Sequence, residues 1–301
     1  RQTLKINQKD RLKLITDIEI PEELKLDVVL IQLPKSRKLI RRWLLQAFQA
    51  LKEEGILYLA GANKSGIQSA FKDAQDLFAS GQVLGYKKGH RATRLVKQPV
   101  RATLPGWTEE PGIAPGTWME FSTTLFGRTL SIRSLPGVFS YDHLDPATQM
   151  LLAAVKIPPG ARVLDVGCGY GIIGMCAACQ GASWVDLVDS DLLAVAAAKE
   201  TLMANDIQQA CVFTGDLLAP LAQNKYDLIL SNPPFHTGLA VDYQIAEAMI
   251  GQSFLALNPG GRLIIVANRF IPYHRLIEQL FGNVSTIAES GRFHVLSGLK
   301  S

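Results

Sequence analysis

Short apolar runs and helical periodicities alternate along the second half of this 301-residue chain. Leu228-Ile-Leu230 reads as a buried parallel strand, and Val163-Leu-Asp-Val166, Trp184–Val188 and Cys211–Thr214 read as further strands. A helix is predicted from about Ile172 to Cys179, directly after the first of these strands in the chain. Residues 118–133 alternate apolar and polar side chains, which predicts a hairpin turning near Phe126-Gly127. Strands alternating with helices predict an α/β fold with Rossmann-like topology.

The first half carries a shortened version of the same pattern. Asp27-Val-Val-Leu-Ile-Gln-Leu-Pro-Lys35 echoes Asp227-Leu-Ile-Leu-Ser-Asn-Pro-Pro-Phe235, and Leu51–Asn63 echoes Leu257–Asn268. Helical patterns lie between these marks (Leu39–Leu51 and Val241–Leu257) and after them, ending at Leu77-Phe78 and Leu280-Phe281. Gly89–Val96 then echoes Gly291–Leu296 as a final hairpin, and the offset stays between 200 and 206. Shared order at a near-constant offset predicts tandem domains from an internal duplication. Expected boundaries are a first domain over 1–100, a Pro-Gly-punctuated linker over 101–116, and a second domain over 117–301.

Composition adds a charge asymmetry. The net charge is +4, but residues 1–101 carry 20 Lys+Arg against 10 Asp+Glu, whereas residues 102–301 carry 11 against 17. A basic half predicts a polyanionic partner. Lys35, Arg37, Lys38, Arg41 and Arg42, beside Trp43, are the candidate phosphate contacts, with Lys87, Lys88, Arg91, Arg94 and Lys97 further along. No apolar stretch reaches the roughly 18 residues that a membrane helix needs. Four cysteines, Cys168, Cys176, Cys179 and Cys211, are too few for a disulfide framework and have no second ligand cluster, so no metal is expected.

The candidate chemistry sits where strands end. Asp165-Val-Gly167-Cys-Gly169-Tyr-Gly171 is a glycine-rich turn between strand and helix, a place where backbone approaches a ligand closely. Asp189 ends the next strand, 22 residues after Gly167, where an acid accepts ribose hydroxyls. Asp216 follows a third strand and stands where an adenine amine would be met. Asn232-Pro233-Pro234-Phe235 follows the fourth: an amide, a proline-stiffened carbonyl and an aromatic face, suited to gripping a planar amino group. Phe139, in the irregular stretch 135–146, is a candidate lid over the same pocket. Only 26 residues precede Asp27, against 62 from Asp165 to Asp227, so the first copy is expected to be degenerate and without a glycine loop.

Glycine loop, ribose acid, adenine acid and Asn-Pro-Pro-Phe, in that order, resemble the class I S-adenosylmethionine-dependent methyltransferases. With Pro136-Gly-Val-Phe-Ser140, Ser231-Asn-Pro-Pro-Phe-His236 and the tail Gly291-Arg-Phe293, the chain resembles the ribosomal RNA small-subunit guanine-N2 methyltransferases from about Leu130 onward. The resemblance implies S-adenosylmethionine as cofactor and guanine in ribosomal RNA or a ribosomal subunit as substrate. A cytoplasmic, monomeric enzyme is the accompanying expectation. Asn232 and the Pro233 carbonyl would accept from the amine, Phe235 would stack on the extruded base, and His236 is a candidate general base or positioning residue. The tetrapeptide also serves enzymes acting on adenine N6 or a protein glutamine amide, so it does not choose among them. A non-catalytic nucleotide-binding scaffold and an NAD-dependent oxidoreductase are the rival readings from other classes.

Overall fold

The computed structural model describes residues 14–99, 103–233 and 240–301, with side chains of 240–243 outside the description. The chain divides into two compact units between Pro105 and Gly106. Residues 106–116, expected as linker, belong to the second unit: Trp107 and Ile113 are buried in it.

The first unit runs β1 (Leu26–Gln32), α1 (Arg37–Ala50), β2 (Leu51–Ala62), α2 (Ile67–Phe78), β3 (Gln82–Lys87) and β4 (His90–Val96). Its sheet has the order β1-β2-β4-β3, with β1 parallel to β2 and the other pairs antiparallel. Ser36 caps α1 by accepting from Leu39 N at 3.3 Å.

The second unit begins with the hairpin β5 (Met119–Leu125) and β6 (Arg128–Ser134), followed by α3 (Pro146–Ala154). Then come β7 (Arg162–Val166), α4 (Ile172–Cys179), β8 (Trp184–Asp189), α5 (Leu192–Ala204) and β9 (Ala210–Thr214). The chain ends with β10 (Tyr226–Ser231), α6 (Ala240–Ala256), β11 (Leu257–Asn268), α7 (Tyr273–Phe281), β12 (Ser285–Glu289) and β13 (Phe293–Leu299). The seven-stranded order is β12-β13-β11-β10-β7-β8-β9. Its central strands β7, β8 and β10 are buried on both faces, which explains their continuous apolar character. The chain moves outward from β7 through β8 to β9, then returns to place β10 on the other side of β7. Strand order therefore reverses between β7 and β10, and ligands bind outside the carboxyl ends of such a pair.

The β5–β6 hairpin rests on α5 by a strand-like ladder made of side chains. Thr201 Oγ1 accepts from Arg133 N at 3.1 Å and donates to Arg133 O at 3.0 Å. One turn later Asn205 accepts from Ser131 N and donates to Ser131 O. Residues four apart lie on one face of a helix, so the two side chains engage alternate residues of β6.

The two sheets match in detail. β10-β11-β13-β12 repeats the order and the strand directions of β1-β2-β4-β3. The register slips at Leu26/Val28 in one pair and at Tyr226/Leu228 in its counterpart, and again at Val83/Gly85 and Thr286/Ala288. Lys97 Nζ donates to Leu51 O over the Phe48 ring, and Phe48 meets Phe78 edge to face. Lys300 Nζ donates to Leu257 O over Phe254, and Phe254 meets Phe281 edge to face. Burial pulls both lysine pKa values down. One sequence echo shifts by a residue: Ala62 opposes His90 as Asn268 opposes Phe293, so Ala62, not Asn63, corresponds to Asn268. No helix among the described residues is long and apolar enough to cross a membrane.

Candidate active site

A cavity of about 600 Å³ opens at the carboxyl ends of β7, β8, β9, β10 and β11. Its size is that of a small-molecule site. Gly167 and Gly169 line it with φ of 70° and 54°, and a Cβ at either would meet no atom within 4 Å. Positive φ makes glycine the residue of choice there, and its bare backbone leaves that space to a ligand. Gly171 is the left-handed N-cap of α4 and does not line the cavity. Gly174 packs so tightly on Leu187 that a Cβ would stand 2.6 Å from it, which seats α4 on β8.

The carboxylates divide between structure and surface. Asp189 lines the cavity while accepting from Gly169 N at 3.0 Å and Asp191 N at 2.9 Å. Burial raises its pKa against those hydrogen bonds. A carboxylate has about four acceptor positions, so Asp189 keeps capacity for hydroxyl donors. Asp216 is exposed at the rim, as is Phe139 at 61% exposure. Asp165, expected as a cofactor ligand, does not line the cavity. It is fully buried, and its Oδ2 accepts from Gly174 N at 2.9 Å, so it fixes the first turn of α4 from behind. Burial pushes its pKa up to about 7.

Asn232 is the polar centre. Ser231 Oγ donates to Val166 O at 2.7 Å, tying the ends of β10 and β7 together just before it. Asn232 Nδ2 donates to Asp145 Oδ2 at 3.1 Å and to Thr148 Oγ1 at 2.8 Å. A carboxylate only accepts, so this contact decides which way the amide faces. Oδ1 is thereby turned away from Asp145. It is buried without a hydrogen-bond partner among the described residues. Pro233 lines the cavity beside it. Pro234, Phe235 and His236 lie outside the described residues.

Asp145, which lines the cavity and holds Asn232, is the site residue that sequence reasoning missed. It caps α3 by accepting from Thr148 N at 2.8 Å, with Pro146 at the first helical position. The Asp-Pro signal for a helix start was present in the supposedly irregular stretch. Thr148, Tyr170, Asn268, Tyr273 and Arg292 also line the cavity without having been assigned to it.

The basic cluster of the first unit needs a correction. Arg42 is 1% exposed and paired to Glu19 at 2.9 Å, so it offers no surface charge. Arg37 and Arg41 both bind the buried Asp73, at 2.9 and 3.1 Å. Lys35, Lys87 and Lys88 are exposed.

Comparison with known proteins places this geometry. The Methyltransferase small domain profile matches residues 129–297, and its N-terminal companion, Methyltransferase small domain N-terminal, matches residues 2–84. The Ribosomal RNA small subunit methyltransferase C of Chromohalobacter salexigens is 38% identical over 276 residues, 89% of this chain and 77% of the relative. The chain belongs to that methyltransferase family. The protein of the same name from Vibrio vulnificus is 34% identical over 91% of this chain and 77% of its own. A solved T. thermophilus 16S rRNA N2 G1207 methyltransferase, in complex with AdoMet and guanosine, aligns with a TM-score of 0.81 and 31% identity. That alignment covers 91% of this chain and 73% of the other. Family membership and the α/β sheet agree with the fold expected from the motif order.

Proposed function

We propose that this chain transfers a methyl group from S-adenosylmethionine to the exocyclic N2 amine of a guanine in small-subunit ribosomal RNA, in the cytoplasm and as a monomer. The observation that carries the reading is the buried, unpartnered Asn232 Oδ1, held by Asp145 and Thr148 in a cavity that also contains the glycine loop. The residues present fit the cofactor: open backbone at Gly167 and Gly169, Asp189 for the ribose, Asp216 toward the adenine, and Phe139 at the rim. When bound, S-adenosylmethionine supplies a methyl group activated on a sulfonium.

The chain's own residues deal with the poor nucleophile. A guanine amine shares its lone pair with the ring. Asn232 Oδ1 and the Pro233 carbonyl accept from its two N–H groups and stabilise positive charge as it grows on N2. Phe235 stacks on the extruded base. The proton leaves N2 for water after transfer. Fixed placement of N2 supplies the remaining advantage.

The first unit is a degenerate copy of the second. Matching strand order, matching register slips and the paired Lys–Phe–Phe clusters support duplication, since independent origins would not reproduce such details. Its sheet has no counterpart of β7, β8 and β9 among the described residues. Its role is RNA docking, through Lys35, Lys87 and Lys88. Methyl transfer from labelled cofactor to ribosomal RNA, ribosomal subunits and protein tests the reading. The expected product is N2-methylguanosine; label in adenosine or glutamine overturns the acceptor, and no transfer overturns the activity.

A further inference from the structure

We propose that Asn268 reads the N1–H of the target guanine and so sets the identity of the base. This rests on the guanine-N2 reading of the site and extends it to a residue not yet given a role. Asn268 ends β11, the strand beside β10, and lines the same cavity as Asn232. It is 7% exposed. Its Oδ1 is buried and has no hydrogen-bond partner among the described residues. Leaving a buried acceptor unpaired is costly, and one in a residue that lines a ligand-sized cavity has a ligand donor as its natural partner. The counterpart position in the first unit is Ala62, where no amide is present.

Asn232 and Asn268 end neighbouring strands and line one cavity, and each carries a buried amide oxygen without a partner among the described residues; such a pair calls for a ligand with two donors on one edge. Guanine has such an edge: the N2 amine and the adjacent N1–H. Asn232 takes the amine, and Asn268 takes N1–H. A purine with an unprotonated N1 sets a lone pair against Asn268 Oδ1, an acceptor facing an acceptor. The methylated amine and the neighbouring ring nitrogen are thus recognised by different residues, and a 2-amine alone is not a sufficient substrate.

The test replaces the target guanine in a reconstituted RNA substrate by 2,6-diaminopurine. That base keeps the 2-amine and loses N1–H. The wild-type kcat/KM is expected to favour guanine by at least about tenfold, as expected of a site whose polar group is left unpaired. Asn268→Ala is expected to lower that ratio at least tenfold, with S-adenosylmethionine affinity in calorimetry unchanged. A wild-type ratio near one, or an unchanged ratio in Asn268→Ala, overturns the proposal. If Asn268→Ala does not fold, Asn268→Asp decides, because it is close in shape and only accepts. A ratio equal to or above the wild type supports the assignment, and a ratio falling to one overturns it. Failure of the wild type to methylate any guanine N2 overturns the underlying reading as well, which separates the two failures.

Discussion

Asn232 keeps its oxygen unpaired among the described residues because Asp145 and Thr148 occupy its nitrogen. Asn232→Ala removes the group that acts as charge develops, so turnover is expected to fall by about 10²–10³-fold. S-adenosylmethionine affinity measured by calorimetry should change little. Asp145→Asn separates the two tasks of Asp145. Asn caps helices about as well as Asp, so the melting temperature is expected to hold. Its amide no longer dictates which way Asn232 faces, so kcat should drop; an unchanged kcat would show that Asp145 merely caps α3. Asp165 gives a pH signature. Its folded pKa, near 7, lies above the ordinary 3.8. The folded state therefore holds the proton more tightly, and stability is lost as pH rises from about 4 through 7. Asp165→Asn should flatten that slope in cofactor-free thermal scans, and an equally steep slope would show another group responsible. The cap at Asp145 was legible as Asp-Pro. Its reach to Asn232, 87 residues away, was not, because side-chain convergence across β10 and α3 leaves no local pattern.

At the scale of elements, local rules worked where chain and contact are both local. The helix over Ile172–Cys179 and the turn at Phe126-Gly127 appear as expected, the turn with φ of 52° and 71° at its two residues. The reading of Arg37, Arg41 and Arg42 as phosphate contacts left out their acidic partners for the opposite reason. Asp73, the acidic partner of Arg37 and Arg41, is on α2, 36 and 32 residues away. Burial alone would raise the Asp73 carboxyl, but hydrogen bonds from Arg37 and Arg41 and their charges hold it below the ordinary 3.8. A lowered folded pKa means that this stabilisation is full above about 4 and fades as pH falls through the folded value. Asp73→Ala should destabilise the first unit by about 1.5–3 kcal/mol, the worth of charged hydrogen bonds. Denaturant unfolding at neutral pH measures it, and a loss within about 0.5 kcal/mol would reduce the pair to surface decoration.

At the scale of the whole molecule, the repeat was legible because apolar spacing recurs at offsets of 200–206, along strands that pair in the same order and directions in both sheets. The difference between the copies carries the last expectation. The second unit has the glycine-loop cavity and an excess of acids; the first has the excess of bases. Lys35 lies just after β1, and Lys87 and Lys88 lie at the β3–β4 turn, all exposed. Tyr86 in the same hairpin is 62% exposed, with the Arg91 guanidinium 5.4 Å from its ring centroid. If these lysines meet RNA phosphates, replacing the three by Gln should weaken RNA binding. It should also flatten the dependence of log K on log salt by about 0.7–0.9 for each phosphate no longer neutralised. Arg37, Arg41 and Arg42 are left intact in this variant, because they bind carboxylates within the unit and their loss would confound docking with folding. Cofactor affinity should stay at the wild-type value, since no lysine among the three lines the cavity. A first unit that serves only as a folding partner gives an unchanged slope. RNA affinity at several salt concentrations, for wild type and variant with equal melting temperatures, decides between a docking surface and a solvated one.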